Sequence, residues 1–511
     1  MIAANLRRLG KHSAIYGLGG LVSRILAVLL LPLYTTYLDE ADYGRVETLV
    51  ALTAVLVTVL RLGIGSAFFR FYFDSTETAA RLRVLRTSFW FTMGTATLGL
   101  VAGWLFASQI AAALNLGDDQ EWLVRAAFVG LWAQMNYEQL TSLFRVEERS
   151  AAFVAASLTN VLLTIAATVV LVVVLDQGAL GVIAGNFTGT LLVYLGLLGY
   201  RREQLGFAFD RELLRRMNRF GLPLVPSGLA LWTLTFSDRF LLAHFSGQAE
   251  VGRYSIGVRV ASAIVLLLYA FRTAWPAFAY SIRDDGEARR TYAFVLTYLL
   301  LVSSWLALAL GVLAPWLVRL LARDPGFWEG AEVVAPLAFA GVFWGAYIVV
   351  AIGVGRTRRT QFNWVVTGAA AALNVGLNLV LIPRYGIHGA AASAVAAFAV
   401  MFVGMTWWSQ RIYPVPYQWR RVVTAVGVAV ALTVAGRVID RLDVAILLVL
   451  AYPLVLLALG FFLPQERRAL GRRFSRLGDG RSGWPTSPFT SRRSSAPQEP
   501  SSSSSGNDAQ R

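Results

Sequence analysis

The sequence predicts an all-α, polytopic integral membrane protein with about 14 transmembrane helices, in two pseudo-symmetric six-helix lobes followed by two further C-terminal helices. Three observations predict it. Of 511 residues, 56% are hydrophobic and 15% charged, with mean hydropathy +0.58; soluble domains are roughly 45–50% apolar. Apolar runs of about 20 residues, enough to cross a core of about 30 Å, recur along the chain. Landmarks also repeat at a spacing of 208 residues.

The runs lie near 12–38, 43–67, 86–114, 121–144, 151–175, 179–200, 221–245, 251–278, 291–317, 328–354, 361–382, 387–410, 420–438 and 443–463. The first follows "NLRRLGKH"; it is too long for a signal-peptide core and has no small-residue cleavage site behind it, so it is predicted to be retained. "FDRELLRRMNRF" sets Leu213, Leu214 and Met217 on one helical face and arginines on the other, the pattern of a helix lying at a membrane surface. From about 465 the chain is too rich in Ser, Pro, Gly and charge to pack. The predicted organisation is a six-helix lobe over 1–200, a cytoplasmic amphipathic linker over 201–220, a second six-helix lobe over 221–412, two added helices over 413–464, and a disordered basic cytoplasmic tail over 465–511.

Charge sets the expected orientation. With a cytoplasmic N-terminus, the odd connections include "RLRVLRTS", "RDDGEARR" and "GRTRRT", and the even ones "LDEAD", "LGDDQ" and "SGQAE". Inside segments then carry roughly 24 basic residues against roughly 5 outside, as the positive-inside rule requires. Both termini are expected in the cytoplasm, and the chain in the plasma or inner membrane. The formal charge of +16 is nearly all arginine, Lys11 being the only lysine, and its distribution fits membrane orientation better than nucleic acid.

The repeat rests on three landmarks. Gly44-Arg45 precedes Gly252-Arg253 by 208 residues, Gly178 and Gly181 precede Gly386 and Gly389 by the same spacing, and "RVEERSAAF" pairs with "GRTRRTQF" within a residue. Six helices are an even number, so both lobes share one orientation and can enclose a central cavity.

"GLVSRILAVLLLPLYTTYLDEADYG", "FGLPLVPSGLALWTLTFSDRFLLAHFSGQAEVGRYSIGVRVASAI" and "ALNVGLNLVLIPRYGIHGAAASAVAAF" resemble the oligosaccharide flippases, the Wzx-type polysaccharide biosynthesis proteins of the superfamily that includes MATE exporters and lipid II flippases. The resemblance covers roughly residues 1 to 465. It implies two six-helix lobes around a cationic cavity, moving polyprenyl-diphosphate-linked glycans outward by alternating access. It also implies membrane lipid and a lipid-linked oligosaccharide as partners, with a polysaccharide polymerase or glycosyltransferase complex as a further candidate.

The charged residues inside the spans point the same way. A charge at mid-bilayer costs about 2.5–3.5 kcal/mol on insertion scales and usually faces a wet cavity or a partner. Arg24 lies near mid-depth of the first span; Asp238 and Arg239 sit roughly 24 Å beyond Leu222; Arg259 lies about 12 Å into the eighth span. Guanidinium groups offer forked hydrogen bonds to phosphate oxygens, so Arg24, Arg239 and Arg259 are candidate diphosphate ligands. Arg61 and Arg272 are outlying members of that set. They lie, like Arg125, close enough to a span end to snorkel to the headgroups. Asp238, Glu138 and Glu47 are candidate charge partners or sites of coupling to H+, Na+ or the membrane potential, and Arg24 or Arg259 competes with Arg239 as the partner of Asp238.

Enzymatic chemistry finds little support. The chain lacks cysteine, and His12, His244 and His388 are isolated, so neither a metal site nor a cofactor is expected. Neither a Walker-type phosphate loop nor a GxSxG turn is present. Asp39, Glu40 and Asp42 in the first outer loop suit a helix-capping turn; an acidic site there would instead mark a polytopic glycosyltransferase or polysaccharide ligase. The expected function is a flippase, not an enzyme, for lipid-linked oligosaccharides in surface polysaccharide biosynthesis. A lipid II flippase or a MATE-type exporter is the alternative within the same fold.

Overall fold

A chain crossing hydrocarbon must satisfy its backbone N–H and C=O groups internally, which helices do. The computed structural model describes residues 30–118, 120–357 and 361–464, and among them it is helical without a strand. After α1 (Leu31–Tyr37), α2 (Glu40–Arg61) begins at Asp39, whose side chain accepts the Asp42 amide at 2.6 Å. The acidic first loop is therefore a helix cap. There follow α3 (Ile64–Tyr72), α4 (Thr78–Leu105), α5 (Ala107–Ala113), α6 (Glu121–Val146), α7 (Ser150–Val169) with a π turn over Val170–Val174, and α8 (Gly178–Arg201). The amphipathic stretch forms α9 (Arg211–Gly221), capped by Asp210, with Leu213 and Met217 buried and Leu214 half-buried.

The second half comprises α10 (Val225–Phe245), α11 (Gln248–Ala261), α12 (Ala263–Ser281), α13 (Asp285–Leu321), a 3-10 segment Pro325–Val333, α14 (Val334–Arg356) and α15 (Gln361–Ile412). Gly386 interrupts α15 with φ 51° and ψ −128°, a backbone conformation that suits a residue without Cβ. It separates the two spans expected on either side. The chain continues through α16 (Trp419–Ile439) and α17 (Leu442–Ala458).

Among the described residues nine helical stretches are long and apolar enough to cross a membrane, or ten with the pair α4 and α5, bent by 76°. This is fewer than the fourteen runs read from sequence, for physical reasons. The first run lies mostly outside the described residues, and α15 holds two runs in one stretch. Polar Arg125, Gln134, Asn136 and Glu138 dilute α6, while α17 has only 17 residues. Outward-facing Leu98, Leu105 and Val174, each 70% exposed, suit a lipid surface. The protein is a multi-pass membrane protein.

Helices α4, α6, α7 and α8 pack side by side, as do α10, α13, α14 and α15, and α16 and α17 lie against α13. The two groups meet where α2 crosses α11 and α10. At that crossing the backbones touch. A Cβ at Gly44 would sit 1.8 Å from the Gln248 carbonyl oxygen, and one at Gly252 2.0 Å from that of Glu40. The contact is reciprocal, since Gly252 and Gln248 lie 208 residues after Gly44 and Glu40. Among the described residues, those up to Leu459 form one unit, and 460–464 lie outside it.

Candidate functional site

The crossing of α2 with α10 and α11 brings four ionisable side chains together inside the bundle. Glu47, on α2, is 4% exposed and faces the second half of the chain. Its Oε1 lies 2.6 Å from Arg259 Nη2 on α11, and its Oε2 lies 3.8 Å from Arg239 Nε on α10. Tyr43, one helical turn before it, donates its hydroxyl to Oε1 at 3.1 Å. Arg239 in turn meets Asp238 Oδ1 at 3.2 Å, and Asp238 Oδ2 accepts the Tyr254 hydroxyl at 2.5 Å. Arg239 also donates to the Thr235 carbonyl at 2.9 Å. Two acids and two guanidinium groups share one buried cluster, so their formal charges cancel. Such burial is tolerated because each charge is paired and hydrogen-bonded.

The fold explains this local order. Asp238 and Tyr254 lie on helices held by the packed core of Leu242, Ala243, Val251, Val333 and Ile382, so their contact is fixed by helix placement. Ser237 donates to Asn374 Oδ1 at 3.2 Å, tying α10 to α15 beside the pair. At the end of the bundle near the crossing, Thr48 donates to Gln248 Oε1 at 3.0 Å, and the Gln248 amide donates to the Leu114 carbonyl at 2.7 Å. Glycine contact, amide bridge and charge cluster thus lie in sequence along one seam between the halves of the chain.

The structure brings some of the expected residues together and separates others. Arg239, Arg259, Asp238 and Glu47 meet, but Arg239 is closed upon carboxylates and only 4% exposed, so in this state it presents no free face. Asp238 pairs with its neighbour Arg239 and not with Arg259, which goes to Glu47. Arg61 pairs with Glu138 at 2.7 Å, bridging α2 and α6 away from the cluster. Arg272 lies over the Trp344 ring at 5.8 Å, and Arg125 over Trp122 at 4.6 Å with Glu121 3.0 Å away. Arg24 lies outside the described residues, as does His12. His388 meets Glu332 at 3.1 Å, and no cluster able to hold a metal occurs among the described residues. Tyr43, Tyr254 and Gln248 also belong to this site, though no charge or motif marks them in the sequence. The 208-residue spacing that joins Glu40 to Gln248 was the one available signal.

Two cavities open beside the seam. One, of about 470 Å³, lies among α1, α2, α6, α7 and α8 and receives Arg259 from the other half. The other, of about 340 Å³, lies among α10, α11, α12, α14 and α15, with Asp238 and Arg272 in its wall. Both fall within the roughly 300–1,000 Å³ usual for small-molecule sites.

A family model described as polysaccharide biosynthesis protein matches residues 9–282, more than half of the chain, and the MatE model matches 223–380. The chain is 23% identical over 214 residues to an uncharacterized membrane protein, MJ1068, of Methanocaldococcus jannaschii, covering 40% of this chain and 41% of that protein. It is 22% identical to the succinoglycan biosynthesis transport protein ExoT of Rhizobium meliloti, over 52% of each. The chain thus spans about half the length of these curated relatives. In fold it is similar to the lipid II flippase MurJ in an inward closed conformation, with TM-score 0.70 and 12% identity over 87% of this chain and 98% of that one. It is also similar to an inward-facing MATE multidrug transporter of the MOP superfamily, with TM-score 0.64 and 14% identity over 79% and 95%.

Proposed function

This chain belongs to the polysaccharide biosynthesis protein family of membrane flippases and transporters, and on that premise we propose that it carries a polyprenyl-diphosphate-linked oligosaccharide from the cytoplasmic to the outer leaflet by alternating access. The observation that carries this reading is the position of Arg259. Its guanidinium reaches from α11 into the cavity of the other half while paired to Glu47. A diphosphate entering that cavity competes with Glu47 for the same guanidinium, because phosphate oxygens match its forked donors. Losing that partner, Glu47 no longer ties α2 to α11, and the seam is freed to part. When the cargo leaves, Glu47 recaptures Arg259, so the empty carrier resets with its charges paired.

The similarity in fold to a lipid II flippase supports movement of a lipid diphosphate, and the similarity to a succinoglycan biosynthesis transport protein supports a surface glycan as cargo. The driving force follows from charge. A lipid diphosphate carries about two negative charges, and with a negative cytoplasm its outward passage gains about 2.3 kcal/mol per charge per 100 mV. We assign the coupling to this potential, with Asp238, Glu138 and Glu47 as charge partners of the arginines. Both termini belong in the cytoplasm, in the inner or plasma membrane.

The test is flux of a fluorescent polyprenyl diphosphate in vesicles containing the purified protein. It should run faster when the loaded side is negative, and a neutral polyprenol analogue should move poorly at every potential. Equal flux of charged and neutral lipids at all potentials would overturn the proposal.

A further inference from the structure

The 470 Å³ cavity beside Arg259 carries a set of polar side chains among its apolar ones. Tyr137 from α6, Ser157, Asn160 and Thr164 from α7, and Asn186 from α8 all line it, and among the described residues no carboxylate does. The Asn160 side-chain oxygen accepts from Thr164 at 3.2 Å and from Thr190 at 3.3 Å; that of Asn186 accepts from the Tyr34 hydroxyl at 3.3 Å. Each amide is thereby oriented with its NH2 left over. Neither NH2 has a partner among the described residues, nor has the hydroxyl of Ser157 or Tyr137. Polar groups inside a bilayer are retained where something meets them.

This polarity is not imposed by the fold. The cavities of the two halves correspond: Leu30, Val50 and Asn186 in one stand 208 residues before Asp238, Val258 and Ala394 in the other. The second cavity is walled mainly by Leu234, Val265, Leu337, Trp344 and Phe398. Where one half of the chain has an asparagine, the other has an alanine. The amide-rich wall is a property of the first half alone.

We propose that this cavity seats the sugar attached to the diphosphate, a neutral hydroxyl-rich ring, while Arg259 at its edge takes the phosphate. The proposal rests on the flippase reading above and adds where the glycan is held. Sugar hydroxyls both donate and accept, so they meet amide NH2 donors and the hydroxyls of Ser157 and Tyr137 together. Among the described residues of the wall no carboxylate awaits a cationic ligand, and Arg259 is the one guanidinium.

The experiment uses the full chain in vesicles and two probes, polyprenyl diphosphate bearing a disaccharide and bare polyprenyl diphosphate. Their flux ratio corrects for any general loss of protein quality. In the double variant Asn160→Ala with Asn186→Ala, the ratio of glycosylated to bare flux should fall about tenfold; an unchanged ratio would overturn the proposal. Binding is read separately. The chain has no cysteine, so Ser157→Cys is a unique thiol for a maleimide. The glycosylated lipid should slow its labelling at least about fivefold, and the bare lipid should not. Equal protection by both, or by neither, refutes a sugar seat. If sugar-dependent protection persists while neither lipid is moved, the seat stands and the transport reading fails.

Discussion

Replacing Glu47 with glutamine removes the carboxylate that Arg259 and Arg239 share across the seam, at 2.6 Å and 3.8 Å. The cluster changes from neutral to a net single positive charge in a largely buried place. Removing one partner of a buried ion pair costs about 3–5 kcal/mol. Arg259 keeps 29% of its side chain exposed to the cavity, so the lower figure, about 3 kcal/mol, applies. Because Glu47 and the arginines lie on opposite sides of the seam, the cost falls on the closed arrangement. Its population relative to an open one should drop about 100-fold, at 1.4 kcal/mol per tenfold. Thr48, next to Glu47, is fully buried and bonded to Gln248 across the same seam. In a Thr48→Cys background, maleimide labelling follows the open population and should accelerate about 100-fold with Glu47→Gln. Adding Arg259→Gln restores charge balance and should return the rate most of the way. Labelling within about threefold of the Thr48→Cys parent, or a triple variant as fast as the one keeping Arg259, would refute the reasoning.

Gly252→Ala places a methyl 2.0 Å from the Glu40 carbonyl oxygen, against backbone that cannot turn away. It should force α2 and α11 apart, expose Thr48→Cys to maleimide, and cost about 1–3 kcal/mol as overpacking, read as a lowered melting temperature. For orientation, single cysteines at Asp118 and Gly247 should react with an impermeant maleimide on intact cells, and one at Arg83 only after permeabilisation; the reverse pattern would overturn the assignment of sides.

Much of the helical layout was legible because apolar runs, arginine-rich connections and cap residues act locally. Asp39 reads as a cap from its neighbours, and the stretch around Leu213 and Met217 reads as amphipathic from its period. The pairing of charges was not legible. Adjacent helical residues point about 100° apart, which suggests that Asp238 and Arg239 diverge, yet the long arginine side chain returns to its neighbour and reaches Glu47 as well. That Arg259 meets an acid 212 residues away depends on how two halves dock, which no local pattern encodes. The asparagines were obscured differently. Asn160 and Asn186 are single polar residues in apolar helices, and only their convergence on one cavity sets them apart.

The reciprocal contact of Gly44 with Gln248 and Gly252 with Glu40 also bears on how substitutions combine. It is one backbone junction approached from both sides. A side chain at either glycine wedges the same two helices, so the second substitution meets a gap the first has already opened. Penalties at contacting sites of this kind are not additive. The double replacement should therefore be milder than the sum of the single ones, and positions 44 and 252 constrain one another as partners in epistasis despite lying in opposite halves of the chain.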